Sequence, residues 1–359
     1  MKITDAHDTI AAIGTALGES GIGIVRVSGK NALKIADRVF ISKAGKKPSQ
    51  AKTYTTHYGW VKKQGQTLDE VILTVMRSPR SYTKEDVVEI NCHGGIAALR
   101  RVLEFVLEKN CRLAEPGEFT KRAFLNGRID LAQAEGVLDI IRARTDAALR
   151  VGVEQLRGGL SKEINRLREL LLEALSVLEA GIDFPEEETG KEELDGVSRN
   201  LKNVRSHLDQ LIESGKQGRM FREGLHVVIC GKTNVGKSSL LNALLREDRS
   251  IVTPVAGTTR DTIEEVIDIK GIPVRLMDTA GIITPRDLVE KKAVLRAKKN
   301  ISSADLVLLV FDGSRRLSRE DMLLIDRLKG RQTIAVINKM DLRQKIERGR
   351  IEKNFASIL

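Results

Sequence analysis

Gly231-Lys232-Thr233-Asn234-Val235-Gly236-Lys237-Ser238 is a glycine-rich loop set between an apolar run, Leu225 to Cys230, and a helical run, Ser239 to Leu245. A strand that feeds such a turn and then a helix aims backbone N–H groups at phosphate oxygens, with the helix N-terminus behind them. On this reading Val235, Gly236 and Ser239 help form the cradle, Lys237 reaches the β- and γ-phosphates, and Ser238 holds Mg²⁺. Two more motifs follow. Asp278-Thr279-Ala280-Gly281 ends the apolar run Ile272 to Met277, where the Asp278 carboxylate can orient a Mg²⁺-bound water and the Gly281 N–H can meet the γ-phosphate. Asn338-Lys339-Met340-Asp341 closes the run Thr333 to Ile337, and the Asp341 carboxylate can accept from the N1–H and exocyclic amine of guanine, a donor pair that adenine lacks. A lone glycine-rich loop is weak; three motifs in this order make guanine nucleotide the leading ligand.

The surrounding pattern predicts a Ras-like mixed sheet. Ile263 to Ile269 and Ile272 to Met277 flank the turn Lys270-Gly271 as a hairpin, and Leu306 to Phe311 and Thr333 to Ile337 read as buried parallel strands. The chain ends at Leu359, before a Ser-Ala-Lys type loop and before the expected last strand and helix, so the G domain reads as truncated.

Upstream, Leu160, Ile164, Leu167, Leu171, Ala174 and Leu178 form one helical stripe, and Leu194, Val197, Leu201, Val204, Leu208 and Leu211 form a second. The acidic turn Asp183 to Glu188 separates them, which predicts an antiparallel helical hairpin. Its stripes have few partners within the chain and are expected to await helices that follow the G domain. From residue 1 to about 125, short β-branched runs (Ile22 to Val27, Val71 to Met76, Val87 to Ile90) and a helix from about Ile96 to Lys109 predict a small α+β domain.

The 359 residues suffice for two or three domains. A formal net charge of +11 suits phosphate-rich partners such as RNA. It also serves plain solubility, and neither a dense basic run nor basic-aromatic interleaving decides between the two. Aromatics at 3% disfavour a base-stacking surface. Three cysteines, Cys92, Cys111 and Cys230, lack CxxC spacing, which fits neither a disulfide framework nor a zinc site and suits a reducing cytoplasm. The N-terminus carries Asp5, His7 and Asp8 where a signal peptide needs an apolar core, and no apolar run has the length of a membrane span. Cys92 and His93 are adjacent, so on a strand they point to opposite faces and do not pair as nucleophile and base.

Further segments carry a resemblance: Asp8-Thr9-Ile10, Gly23 to Gly29, Ser81-Tyr82-Thr83, Glu85 to Glu89, His93-Gly94-Gly95, Pro116-Gly117-Glu118-Phe119-Thr120, Arg122 to Gly127 and Asp130 to Glu135. In these, and in the nucleotide motifs, the chain resembles the MnmE (TrmE) family of tRNA-modification GTPases over nearly its whole length. The resemblance implies a folate-binding, dimer-forming α+β domain at residues 1–125. It further implies the first part of an α-helical domain at 126–222, and at 223–359 an α/β P-loop G domain inserted in it, incomplete at the C-terminus. It also implies work with the flavoprotein MnmG, in which a one-carbon unit from 5,10-methylene- or 5-formyltetrahydrofolate helps install an aminomethyl-type group at C5 of the tRNA wobble uridine.

Residue by residue, the resemblance assigns the folate site to Arg26, Glu89 and Arg128, the last an Arg where Lys is common. Apart from it, Arg26 reads as a surface arginine and Glu89 as an edge-strand carboxylate. Gly18-Glu19-Ser20-Gly21 departs from the family's glycine-rich basic turn, which puts the loop beside Arg26 in question. At the position where Ras-type enzymes orient water with glutamine, this chain has Ile282. The resemblance instead implies a K⁺ ion held by Asn234, Thr253, Val255 and Thr258 while two G domains dimerise transiently. The loop containing the last three of these, Thr253-Pro254-Val255-Ala256-Gly257-Thr258-Thr259, contacts nucleotide, and Thr259 is the second Mg²⁺ ligand. Glu290 matches the catalytic carboxylate that acts through a bridging water; by itself it reads as an exposed residue opening the basic run Lys291 to Lys299. The competing readings are an RNA-associated GTPase of ribosome assembly and a nucleotide- or folate-binding fragment without turnover.

Overall fold

The computed structural model describes residues 8–184, 190–247, 264–278 and 300–359. They form two compact units, divided between Ala134 and Glu135.

In the first unit β1 (Ile10–Ile13), β2 (Gly23–Ser28), α1 (Ala32–Val39), β3 (Phe40–Ser42), β4 (Thr55–Lys63), β5 (Gln66–Met76), β6 (Val87–Cys92), α2 (Ile96–Leu107), β7 (Arg112–Leu113) and α3 (Glu118–Leu125) follow one another. The seven strands make one sheet in the order β3-β4-β5-β6-β2-β1-β7. Strand period sorts its faces. Val25, Val27, Leu73, Val75, Val88 and Ile90 point inward against Ile35, Val39, Leu99, Val102 and Val106 of α1 and α2. Each large apolar side chain buried there contributes about 1.5–3 kcal/mol of transfer free energy. The alternate residues, Arg26, Thr74 and Glu89 among them, fall on the other face, and each is only partly buried.

The second unit begins within α4 (Leu131–Arg142) and continues through α5 (Asp146–Leu156), α6 (Gly159–Asp183) and α7 (Lys191–Glu223). Arg166 and His207, at matching distances from the turn, approach to 3.3 Å, as an antiparallel hairpin of α6 and α7 requires. The seam is narrower than the sequence stripes. Leu167 and Ala174 are buried, as are Val197 and Val204, pairs spaced by a heptad. Leu160, Ile164, Leu171, Leu178, Leu194, Leu201 and Leu208 remain exposed, because two helices alone meet along one line of a stripe that spans a wider arc.

The mixed sheet of this unit comprises β8 (Leu225–Cys230), β9 (Glu264–Ile269), β10 (Ile272–Asp278), β11 (Leu306–Asp312), β12 (Thr333–Asn338) and β13 (Ser357–Ile358). Also present are α8 (Lys237–Glu247), α9 (Arg319–Leu328) and α10 (Arg348–Glu352). The strand order is β13-β12-β11-β8-β10-β9, with only the β9–β10 pair antiparallel. The sequence reading stopped the sheet at its fifth strand. Instead Ser357 and Ile358 pair with Ile334 and Ala335 as a short parallel edge strand, and the Leu359 amide donates to Ala335. Two residues carry too little periodicity to be read as a strand; the exposed edge of β12 selects them.

The hairpin tip packs on the helices. Thr145 caps α5 through its hydroxyl, which accepts from the Ala148 amide at 3.1 Å and donates to the Gly271 carbonyl at 2.8 Å. Gly271 has φ +88°, and a β-carbon there would lie 2.8 Å from that of Ala147, so glycine serves both the turn and the close approach.

Candidate nucleotide and cofactor sites

The glycine-rich loop leaves the C-terminal end of β8 and enters α8, and the ends of the neighbouring parallel strands converge on it. Ligands bind at this edge of an open α/β sheet. Asp312 and Asn338, the last residues of β11 and β12, are register partners. Asn338 Nδ2 donates to the Val235 carbonyl at 2.9 Å, and Lys339 Nζ donates at 2.8 Å both to the Asn234 carbonyl and to Asp312 Oδ2. The Asn338–Asp341 motif is thereby tied to the glycine-rich loop. Gly236 has φ +101°, and a β-carbon on it would meet Asn338 Nδ2 at 1.9 Å, so no other residue fits beside that asparagine.

Lys237 is buried, and its ammonium donates to the Lys232 carbonyl at 2.6 Å, which holds the positive charge inside the loop's curve. Ser238 and Ser239 lie in the exposed first turn of α8. Asn234 adopts φ +63°, a conformation asparagine tolerates, with its side chain at the exposed rim. Asp341 is exposed just beyond β12. Burial acts to raise the pKa of Asp312, but hydrogen bonds from Lys339 and Ser314 hold it down at about 2. Lys232 reaches the cap of α9, at 2.8 Å from Ser318 Oγ and 3.1 Å from Asp321 Oδ2.

Thr253, Pro254, Val255, Ala256, Gly257, Thr258, Thr259, Thr279, Ala280, Gly281, Ile282 and Glu290 lie outside the described residues, as does the run Lys291 to Lys299. The backbone of Asp278 ends β10, in register with Ile229. Ser238 as a Mg²⁺ ligand and Asn234 as a K⁺ ligand fit where they stand, since each offers a hard oxygen donor at the solvent rim of the loop. Among the described residues no group of three or more His, Cys, Asp or Glu side chains converges to hold a metal.

In the first unit Arg26 and Glu89 face each other across β2 and β6, with Arg26 Nε 2.7 Å and Nη2 2.6 Å from Glu89 Oε1. β6 lies between β5 and β2, so Glu89 is on an interior strand; the edge-strand reading was wrong because the order of strands is not written in their periodicity. The Arg26 guanidinium stands 5.4 Å from the Phe119 ring centroid and 5.9 Å from that of Tyr82. Arg128 covers Tyr82 at 4.7 Å. Arg26 and Arg128 thus both approach the Tyr82 ring, and Glu89 joins them through its pair with Arg26.

A second constellation holds this one in place and was not recognised as such in the sequence. Buried Glu118 accepts from Arg112 at 2.5 and 2.8 Å and from Arg122 at 3.1 and 3.3 Å. Arg122 also pairs with Asp8 and, at 3.1 Å, with Glu85, whose other oxygen accepts from Ser28 at 2.7 Å. Burial acts to raise the Glu118 pKa, yet the Arg112 and Arg122 hydrogen bonds and the Glu115 amide hold it at about 2. This network seats α3, and hence Phe119, beside Arg26.

Cys92 and His93 do not form a dyad. Cys92 is buried, which pushes its thiol up to about 12, while exposed His93 hydrogen-bonds Asp69 at 2.6 Å, an interaction that raises the imidazole pKa.

Comparison with known proteins adds identity to this geometry. "GTP-binding protein TrmE N-terminus" matches residues 9–128, and "MnmE helical domain" matches residues 131–357. The "tRNA modification GTPase MnmE" of Clostridioides difficile is 50% identical over 346 residues, covering 96% of this chain and 75% of the relative. The chain belongs to the MnmE family. The Geobacillus kaustophilus MnmE is 49% identical over 349 residues, 96% of this chain and 76% of its own. Among solved structures, a point variant of Aquifex aeolicus Era bound to GDP·AlF4⁻ is 32% identical, covering 38% of this chain and 50% of its own, with a TM-score of 0.31. The Thermotoga maritima FeoB G domain is 28% identical, covering 38% of this chain and 85% of its own, with a TM-score of 0.28. The MnmE helical match runs from the helices α4 to α7 through the P-loop sheet into its last strand. Among the described residues no helix is long and apolar enough to cross a membrane.

Proposed function

We propose that this MnmE-family chain hydrolyses GTP in a K⁺-dependent manner and, with the flavoprotein MnmG, takes part in modifying C5 of the tRNA wobble uridine in the cytoplasm. The observation that carries the reading is the coupling of Asn338 and Lys339 to the carbonyls of Val235 and Asn234, which joins a guanine-reading motif to a phosphate loop. Residues 1–125 serve as the tetrahydrofolate-binding and homodimerising domain, 126–222 as helical domain, and 223–359 as G domain.

In the nucleotide site Lys237 meets the β- and γ-phosphates and Asp341 reads the base. Ser238 and Thr259 hold Mg²⁺; Asn234, Thr253, Val255 and Thr258 hold K⁺ as G domains pair transiently. When bound, these cations supply positive charge against that developing on the transferring phosphoryl group. Glu290 orients the attacking water through a bridging water, work that Ile282 lacks the polar atoms to do. At the folate site the Glu89 carboxylate accepts from pterin N–H groups, and Arg26 and Arg128 meet ring carbonyl or glutamate oxygens. The one-carbon unit is drawn from 5,10-methylene- or 5-formyltetrahydrofolate.

GTP turnover measured in KCl and in NaCl tests the nucleotide half. Turnover should fall in Na⁺, and Glu290→Ala should lower it by about 10²-fold at nearly unchanged nucleotide affinity. Equal rates in the two salts would sink the cation mechanism.

A further inference from the structure

Beside the Arg26–Glu89 pair, and sharing Tyr82 with it as a wall, lies an open cleft of about 380 Å³. It is lined by Tyr54, Arg80, Tyr82, Lys84 and Arg128, together with the Met76 and Pro79–Ser81 backbone turn. Its volume corresponds to on the order of ten water molecules, more than a single carboxylate fills. Three of its side chains are cationic, and none of Arg80, Lys84 and Arg128 has a carboxylate within ion-pair distance among the described residues. Lys84 is half-buried and Arg80 and Arg128 are exposed, whereas three other arginines of this unit are neutralised: Arg26 by Glu89, Arg112 by Asp8 and Glu118, Arg122 by Asp8, Glu85 and Glu118. Neighbouring like charges repel, so their concentration in one concavity favours an anionic occupant.

Local structure holds the three in place. Lys84 Nζ donates to the Gly127 carbonyl at 2.8 Å, which pins the segment entering Arg128 against the wall of the cleft. The Arg128 guanidinium stands over the Tyr82 ring, and that ring is held at its hydroxyl by Thr120 at 2.9 Å. Arg80 is exposed at the mouth, on a turn closed by its amide donating to Arg77 at 2.7 Å. Tyr82 thus has both Arg26 and Arg128 near its ring, and Tyr82 and Arg128 both line the cleft.

We infer that this cleft is the subsite for the anionic tail of a γ-linked polyglutamyl folate, with Arg128 meeting the first glutamate and Lys84 and Arg80 the carboxylates that follow. The inference rests on the folate reading of Arg26, Glu89 and Arg128. A tail leaving a pterin seated at Glu89 passes Tyr82 and enters the cleft, where successive carboxylates meet successive cations. A nucleic-acid backbone suits the charge less well in shape, since the cations line one concavity rather than a stripe across the surface.

Calorimetric titration of the intact chain with 5-formyltetrahydrofolate as monoglutamate and as triglutamate tests this. Exposed ion pairs contribute little singly, so the two added carboxylates should tighten binding about three- to tenfold, with the preference fading as salt is raised. Arg80→Gln, at an exposed position, should reduce that ratio while leaving monoglutamate affinity within about twofold; Arg80→Gln with Lys84→Gln should bring the ratio close to one. Arg80→Lys should preserve most of it. Equal affinity of the unmutated chain for the two folates would overturn the tail subsite and leave the folate site standing. Binding of neither by a folded protein would overturn the folate reading itself. An unchanged ratio in both variants, or a loss of tRNA retention in Arg80→Gln without any change in ratio, would also overturn the assignment.

Discussion

Glu118→Gln isolates the electrostatic part of the network that seats α3. The substitution keeps side-chain shape and one carbonyl acceptor but removes the charge that faces both Arg112 and Arg122. Breaking a buried pair on one side costs about 3–5 kcal/mol. Here Arg112 keeps Asp8 and is 31% exposed, so it can rehydrate, whereas Arg122 is 6% exposed and keeps Asp8 and Glu85. The remaining partners and the partial exposure of Arg112 bring the cost to the bottom of that range or just under it, about 2–3 kcal/mol. With a urea m-value of about 1.5 kcal/mol/M for a unit of this size, the midpoint should fall by about 1.5–2 M. The single tryptophan of the chain, Trp60, lies in β4 of the same unit, so its fluorescence follows this unit's transition. Both Glu118 and Asp8 are shifted downward on folding, against their burial, by these arginines. A depressed carboxyl pKa stabilises fully above its unfolded value, about 4.3 for Glu, and that contribution disappears as pH falls through the folded value. The gap between the unmutated chain and Glu118→Gln should thus be widest above about pH 5 and close on the way down to about 2. A midpoint shift under about 0.3 M at neutral pH, or a gap that widens on acidification, would refute this account.

Lys339→Met should remove the charge-assisted bonds to the Asn234 carbonyl and Asp312, and calorimetry should show GDP affinity reduced about tenfold or more; unchanged affinity would separate the base motif from the phosphate loop. Burial places the Cys92 and Cys230 thiols at about 12 and Cys111 at about 11, so at pH 8 a thiol-disulfide reagent should leave all three largely unreacted in the native chain and react with them readily in urea. Rapid titration of Cys92 or Cys230 without denaturant would contradict their buried placement.

Elements whose periodicity is long and whose turn chemistry is explicit were legible in the sequence. The strands Leu225–Cys230, Leu306–Asp312 and Thr333–Asn338 are near-continuous apolar runs, as two-sided burial demands, and Lys270-Gly271 marks its own hairpin. What periodicity omits is which strands become neighbours. Glu89 therefore looked like an edge residue although β6 is flanked on both sides, and Ser357–Ile358 did not look like a strand at all. The helical stripes were legible as amphipathic, but they do not say which arc a single partner helix covers; Leu167, Ala174, Val197 and Val204 answer that. Glu118 and Arg122 stood inside a segment quoted for its resemblance, and a pattern of charged residues on a short helix reads first as a solvated face. Their burial follows from long-range partners, Asp8 and Glu85, that no local pattern reveals.

The nucleotide motifs are distant in sequence because the sheet, not the loops, brings them together. β8, β11 and β12 are adjacent and parallel, so their C-terminal ends emerge side by side, and the register that pairs Asp312 with Asn338 puts Lys339 within reach of both Asp312 and the Asn234 carbonyl. A slip of one residue in β12 would turn Asn338 to the opposite face and leave the Val235 carbonyl without its donor. Register is protected by the same residues that make the core: Ala335 and Ile337 are buried on the face toward Ile325 and Leu328 of α9, and the slip would bring partly exposed positions inward in their place. The alternating burial of β12, which seats Ala335 and Ile337 against α9, therefore specifies the position of a polar site at its end. This is why a loop at residue 231 and a motif at residue 338 can be read together from sequence, provided the strands between them are read first.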